Sequence, residues 1–128
     1  ETSRLAALGR FLETDPASPL RRYTPEGFDP DSVIDCRAVL QQGFRETDIT
    51  SLPPLFRPAK GGLGLTDYEK TFCPDLKNGP DLYALREINR NQGCLVIIRP
   101  DQYVAEILPL DGFDELTAFF SRILLPAR

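Results

Sequence analysis

The longest uninterrupted apolar run in the chain is Cys94-Leu95-Val96-Ile97-Ile98, and together with the residues after it this run narrows the fold more than any other feature. Five residues are strand length and fall far short of the ~20 needed to span a bilayer, and residues 94–99 are read as a buried strand. Arg99-Pro100-Asp101-Gln102 then turns the chain, because Pro presets φ and Asp can bond its own backbone. Residues 103–108 return as a second strand, which makes a hairpin. Behind the hairpin comes an amphipathic helix with Phe113, Leu116, Phe120, Ile123 and Leu124 as its buried stripe. Asp111 is placed to cap it, and Asp114 and Glu115 favour its positive N-terminal end.

The rest of the chain is read outward from that unit. Leu5, Leu8, Phe11 and Leu12 share one helical face, with Thr2 or Ser3 as a cap and Asp15-Pro16 as the stop. Pro16, Pro19, Pro25, Gly27 and Pro30 make residues 16–31 a loop. Residues 33–40 alternate: Ile34, Cys36, Ala38 and Leu40 face one way, and Val33, Asp35, Arg37 and Val39 the other, as in a half-buried strand. Pro53, Pro54 and Pro58 keep 43–66 out of any sheet interior, so that stretch reads as a long connection of the kind that is functional or forms an interface. A helix is predicted over 80–90. Asn78 caps it ahead of Pro80, Leu82, Leu85 and Ile88 form its apolar face, and Asn91-Gln92-Gly93 closes it.

The order helix, strand, loop, helix, strand, strand, helix is β-α-β-α-β-β-α without its first strand. The complete pattern is a thioredoxin-like α/β sandwich, a mixed sheet with flanking helices whose first strand lies at the centre. The expected class is therefore α/β, with that central strand missing from the chain and supplied from another source. A length of 128 residues fits one domain, 1–128.

Composition removes several kinds of chemistry. There is no His, so no Ser-His-Asp or Cys-His arrangement and no imidazole proton shuttle. There is also no Met, from which a processed chain or a piece of a longer one is expected. Acidic side chains outnumber basic ones in both halves, and the net charge is −4, which argues against nucleic acid as a partner. The three cysteines, Cys36, Cys73 and Cys94, form no C-x-x-C and are read as buried thiols in a reducing, cytoplasmic setting.

Each remaining candidate has a structural explanation beside its functional one. Gly61-Gly62-Leu63-Gly64 lacks the phosphate-loop lysine and reads as a flexible turn. Arg99, Asp101 and Tyr103 at the hairpin tip are either a partner or anion contact or simply turn chemistry with a local ion pair. Tyr68, Tyr83 and Tyr103 read as core residues with wet hydroxyls. Leu52, Leu55 and Phe56 either cover the core or form an exposed apolar patch for a partner.

The stretch 83–120, with a helix ending before a Gly, an apolar strand running into Arg99-Pro100-Asp101-Gln102-Tyr103-Val104 and a closing helix ending in Phe119-Phe120, resembles the C-terminal domain of the phenol hydroxylase family. Leu5-Ala6-Ala7-Leu8, Ser18-Pro19-Leu20, Leu52-Pro53 and Asp67-Tyr68-Glu69-Lys70 are similar to it as well, so the likeness covers nearly the whole chain. The resemblance implies a thioredoxin-like domain without the redox dithiol, appended to FAD and substrate domains of an NADPH-using aromatic monooxygenase. It implies dimer contacts and transfers no catalytic residue. The dinucleotide pattern G-x-G-x-x-G is absent, so no cofactor is expected on this chain, and FAD and NADPH belong to the parent. Expected partners are the upstream domains and a second copy, with no nucleic acid and no membrane. Two alternatives stand beside this reading. One is a free-standing, redox-inactive thioredoxin-like binding module. The other is a thiol enzyme built on Cys73, for which the sequence offers no base.

Overall fold

The structure, a computed structural model, describes residues 2–127, with side chains from residue 4 onward. The proposed cap by Thr2 or Ser3 lies outside the described side chains. Helix α1 covers Thr2–Thr14 and ends where Asp15-Pro16 forbids another turn. The loop expected over 16–31 instead holds a second helix, α2, at Pro19–Tyr23. Its cause is local. Ser18, fully buried, accepts from the Arg21 amide and donates to the Leu12 carbonyl at 2.8 Å, and Pro19 occupies the first helical turn. Ser18 thus caps one helix and ties down the end of the other.

Strand β1 is only Ala38–Val39, yet the alternation around it is real. Ile34, Cys36, Ala38 and Leu40 all join the core, while Val33 and Val39 stay exposed. The strand is shorter than its pattern because regular pairing is confined to one short partner. Three single 3-10 turns follow, at Phe44–Glu46, Ile49–Ser51 and Pro54–Phe56. Strands β2 (Ala59–Lys60) and β3 (Leu65–Thr66) close an unexpected hairpin around the glycine run. Gly61 and Gly64 sit at φ of 68° and 62°, a conformation glycine adopts without strain. Strand β4 (Thr71–Phe72) pairs in parallel with β1, the Ala38 amide donating to the Lys70 carbonyl at 2.8 Å.

The helix read over 80–90 shrinks to α3, Leu82–Leu85. Asp81, not Asn78, caps it, accepting from the amides of Tyr83 and Ala84. Asn78 is used upstream, its amide donating to Asp75, and Glu87 at φ 55° breaks the backbone before Ile88 can extend the helix. The hairpin of β5 (Leu95–Ile98) and β6 (Val104–Leu108) forms as expected. Helix α4 spans Phe113–Ser121. Gly112 occupies its cap position without a side-chain bond, so the capping role read for Asp111 is not taken up. Ile123 lies beyond the helix and is exposed.

Leu8, Leu12, Leu20, Ala38, Leu55, Phe56, Leu110 and Leu116 make one buried cluster. Phe11 of α1 stacks on Phe113 of α4 with ring centres 4.6 Å apart. Leu95, Ile97 and Leu108 pack against the same cluster from the β5–β6 side. Where α1 passes the 53–54 turn, Gly9 leaves no room for a side chain, since a Cβ there would meet the Pro53 ring at 2.6 Å. The expected continuous mixed sheet is not seen among the described residues. Among the described residues three two-stranded sheets stand apart, and none of their strands joins β1 to β5.

Candidate functional site

The residues singled out from sequence fall into two places. Leu52, Leu55 and Phe56 are all buried, Leu55 and Phe56 turned into the core by the 3-10 turn Pro54–Phe56, so they offer no free apolar patch. Arg99, Asp101 and Tyr103 lie together at the tip of the β5–β6 hairpin. Arg99 Nη2 meets Asp101 Oδ2 at 2.6 Å with both side chains exposed, and the Tyr103 amide donates to Asp101 at 3.4 Å. Gln102 completes the turn at φ 71°. Of the three tyrosines assigned to the core, only Tyr83 is buried, its hydroxyl donating to the Val39 carbonyl at 2.8 Å. Tyr68 and Tyr103 are exposed.

A polar centre without a signature in the sequence sits beside a cleft of about 500 Å³. Its wall includes Leu20, Ile34, Leu55 and Pro58 together with Asp31, Lys60 and Lys70. The Lys70 ammonium, almost fully buried, reaches Asp31 at 2.7 Å and Asp35 at 2.5 Å. Lys60 binds Asp31 as well and reaches Asp67 at 3.1 Å. Hydrogen bonds from Lys60 and Lys70 pull the Asp31 carboxyl down to about 2. Burial pushes Asp35 up, but the bonds from Lys70 and Arg37 outweigh it and hold it below its ordinary value. Burial likewise opposes the Lys70 charge, and Asp31 and Asp35 overcome it. Every member therefore keeps its charge at neutral pH, which suits a fixed electrostatic clasp and not proton transfer. In the sequence these residues are only scattered Asp and Lys, with Asp31 and Asp35 lying 29 to 39 residues ahead of the lysines they bind.

The cysteines remain apart and free. Burial pushes the Cys36 thiol up to about 12, with Asp35 adding to the effect, and burial raises Cys94 too. Neither is poised as a thiolate nucleophile. Cys73 Sγ lies 3.6 Å from Thr47 Oγ1. Among the described residues no three His, Cys, Asp or Glu side chains gather as a metal site, and no helix is long and apolar enough to cross a membrane.

Two curated proteins are similar to this chain over almost its whole length. The chain is 54% identical over 123 residues to a 3-hydroxybenzoate 4-monooxygenase of Comamonas testosteroni, covering 95% of this chain and 19% of that protein. It is 32% identical over 126 residues to the FAD-dependent monooxygenase terD of Aspergillus terreus (strain NIH 2624 / FGSC A1156), covering 96% of this chain and 20% of that one. The chain thus spans about a fifth of the length of these curated relatives. Residues 1–128 match, end to end, the family described as the phenol hydroxylase C-terminal dimerisation domain, and the chain belongs to that family.

Proposed function

We propose that residues 1–128 form one non-catalytic domain of a flavin-dependent aromatic hydroxylase and that its work is assembly of a homodimer. The observation that carries this reading is the family match over the full 128 residues. FAD and NADPH are bound by the upstream domains of the parent, and an aromatic ring that becomes hydroxylated is its substrate; one relative is named as FAD-dependent, the other as acting on 3-hydroxybenzoate. The setting is cytoplasmic. The fixed charge clasp and the raised thiols support a structural role.

The thioredoxin-like reading of the fold belongs to the same proposal. Among the described residues strands β1 and β5 each have one strand neighbour, β4 and β6 respectively, and both feed side chains into one core. A strand from outside residues 1–128, lying between them, would join the two pairs into one mixed sheet and satisfy both open edges.

The test uses the complete protein as encoded. Sedimentation should find a dimer with bound FAD, and removal of residues 1–128 should leave a monomer that still binds FAD. A truncated protein that remains dimeric would overturn the assembly role. Loss of FAD with otherwise intact folding would overturn the assignment of the cofactor to the other domains.

A further inference from the structure

Antiparallel sheets that face water on one side alternate apolar and polar residues. The β5–β6 hairpin breaks that rule. Leu95, Ile97 and Leu108 turn to the core. On the opposite face Val96 stands across from Ile107, and Ile98 from Val104, and all four side chains are exposed, Ile107 by 61% and Ile98 by 58%. The register slips between Ile97 and Ile98, so that two steps along β6, from Glu106 to Val104, match one along β5. This bulge brings Val104 opposite Ile98 and keeps the aliphatic face unbroken. Glu106 is the one charged residue in either strand, and its register partner is Ile97, on the core side. Helices α1 and α4 both pack on the core side, so neither covers the outer face.

We propose that this outer face of the hairpin, Val96, Ile98, Val104 and Ile107, is where a second copy of the same protein docks, an inference that rests on the assembly reading above. A face without charges or free hydrogen-bonding side chains cannot select a foreign partner by complementary charge. Around a two-fold axis it is complementary to itself, aliphatic against aliphatic, in sheet-on-sheet packing. The ion pair at its border, Arg99 with Asp101, is already satisfied within one chain and asks nothing of a partner. Tyr103, 71% exposed beside the pair, is of the aromatic type enriched at such interfaces. The family's description as a dimerisation domain names the occupant as a second copy.

The test is made in the complete protein, by sedimentation over a concentration series. Ile98→Asp combined with Ile107→Asp should weaken the dimer at least about 100-fold, because a carboxylate would be buried at the centre of the contact. Bound FAD should be unchanged. If the unsubstituted protein is dimeric and the double variant equally so, the hairpin face is refuted while the assembly reading survives. If the unsubstituted protein is monomeric at every concentration, the assembly reading fails and takes this one with it. If the aspartates cost the domain its fold, Ile98→Thr with Ile107→Thr replaces them, with a loss of roughly 10-fold expected. An unweakened dimer in that pair is again a refutation. A variant that stays dimeric but becomes protease-sensitive between this domain and the rest would give the face to the upstream domains and overturn the proposal.

Discussion

Residues 95–121 and residues 31–72 both line one core but are built by different means. The first region is the more regular: two strands paired along their length through a single bulge, and a helix whose stripe reaches Leu116. The second has strands of two residues, isolated turns and a glycine hairpin, and an ion network stands where backbone pairing is sparse. A region short of hydrogen-bonded ladders must fix its path by some other directional interaction. Here Lys70 supplies it, drawing Asp31 and Asp35, on the segment leading into β1, onto the start of β4. The two regions should therefore respond to different perturbations, apolar truncation in one and charge removal or acid in the other.

The largest effect is expected from Leu116→Ala, which empties space at the centre of α4's contact with the cluster. It should cost about 2–5 kcal/mol in denaturant unfolding, with little change in how stability depends on pH. A strongly altered acid dependence would show that the two regions are not separable in this way.

Lys70→Met comes next. Met keeps much of the buried stem and leaves Asp31 and Asp35 facing one another without the ammonium. Because both carboxylates reach solvent, a loss of about 2 kcal/mol is expected, below the range for fully buried pairs. A neutral or stabilising outcome would mean that the region is held by packing alone.

Acid sharpens the same contrast. Asp31 ionises more readily in the fold, near 2, than in the unfolded chain, near 4. Its contribution is complete above about pH 4 and drains away as the pH falls through about 2. Thermal unfolding between those limits should show a declining midpoint in the unsubstituted protein and a shallower decline in Lys70→Met. Parallel slopes would mean that the clasp contributes nothing to acid sensitivity. Smallest of all, Arg99→Ala at the exposed hairpin tip should change stability by less than about 1 kcal/mol, since its partner Asp101 is solvated.

The same contrast governs what can be read from sequence. The β5–β6 hairpin and the end of α1 are legible because their signals, an apolar run, a Pro turn and Asp15-Pro16, are local. In 33–40 the facing of the apolar side chains is legible but the extent of pairing is not, since the length of β1 depends on β4, more than 30 residues away. Helix α2 is hidden when prolines are counted without weighing where they fall, although Ser18-Pro19 is a cap followed by a first-turn proline. Asn78 and Asp81 compete for one helix start, and the carboxylate that can accept from two amides takes it. The Lys70 clasp leaves no periodic trace, because ion pairs across the fold have no spacing rule in sequence.

The contacts that close the molecule carry a consequence for the order of events in folding. Thr117 donates to the Ala17 carbonyl across 100 residues, and the Ala127 amide donates to the Arg22 carbonyl. The α1–α2 pair can form early from neighbouring residues, and so can the β5–β6 hairpin. Joining them requires nearly the whole chain to be gathered first, at an entropic cost that grows with the logarithm of loop length. Docking of α4 onto α1 and α2 is therefore expected to be the late step and to set the pace of refolding. A circular permutant that places 94–127 directly ahead of α1 would shorten that search and should refold faster than the natural order.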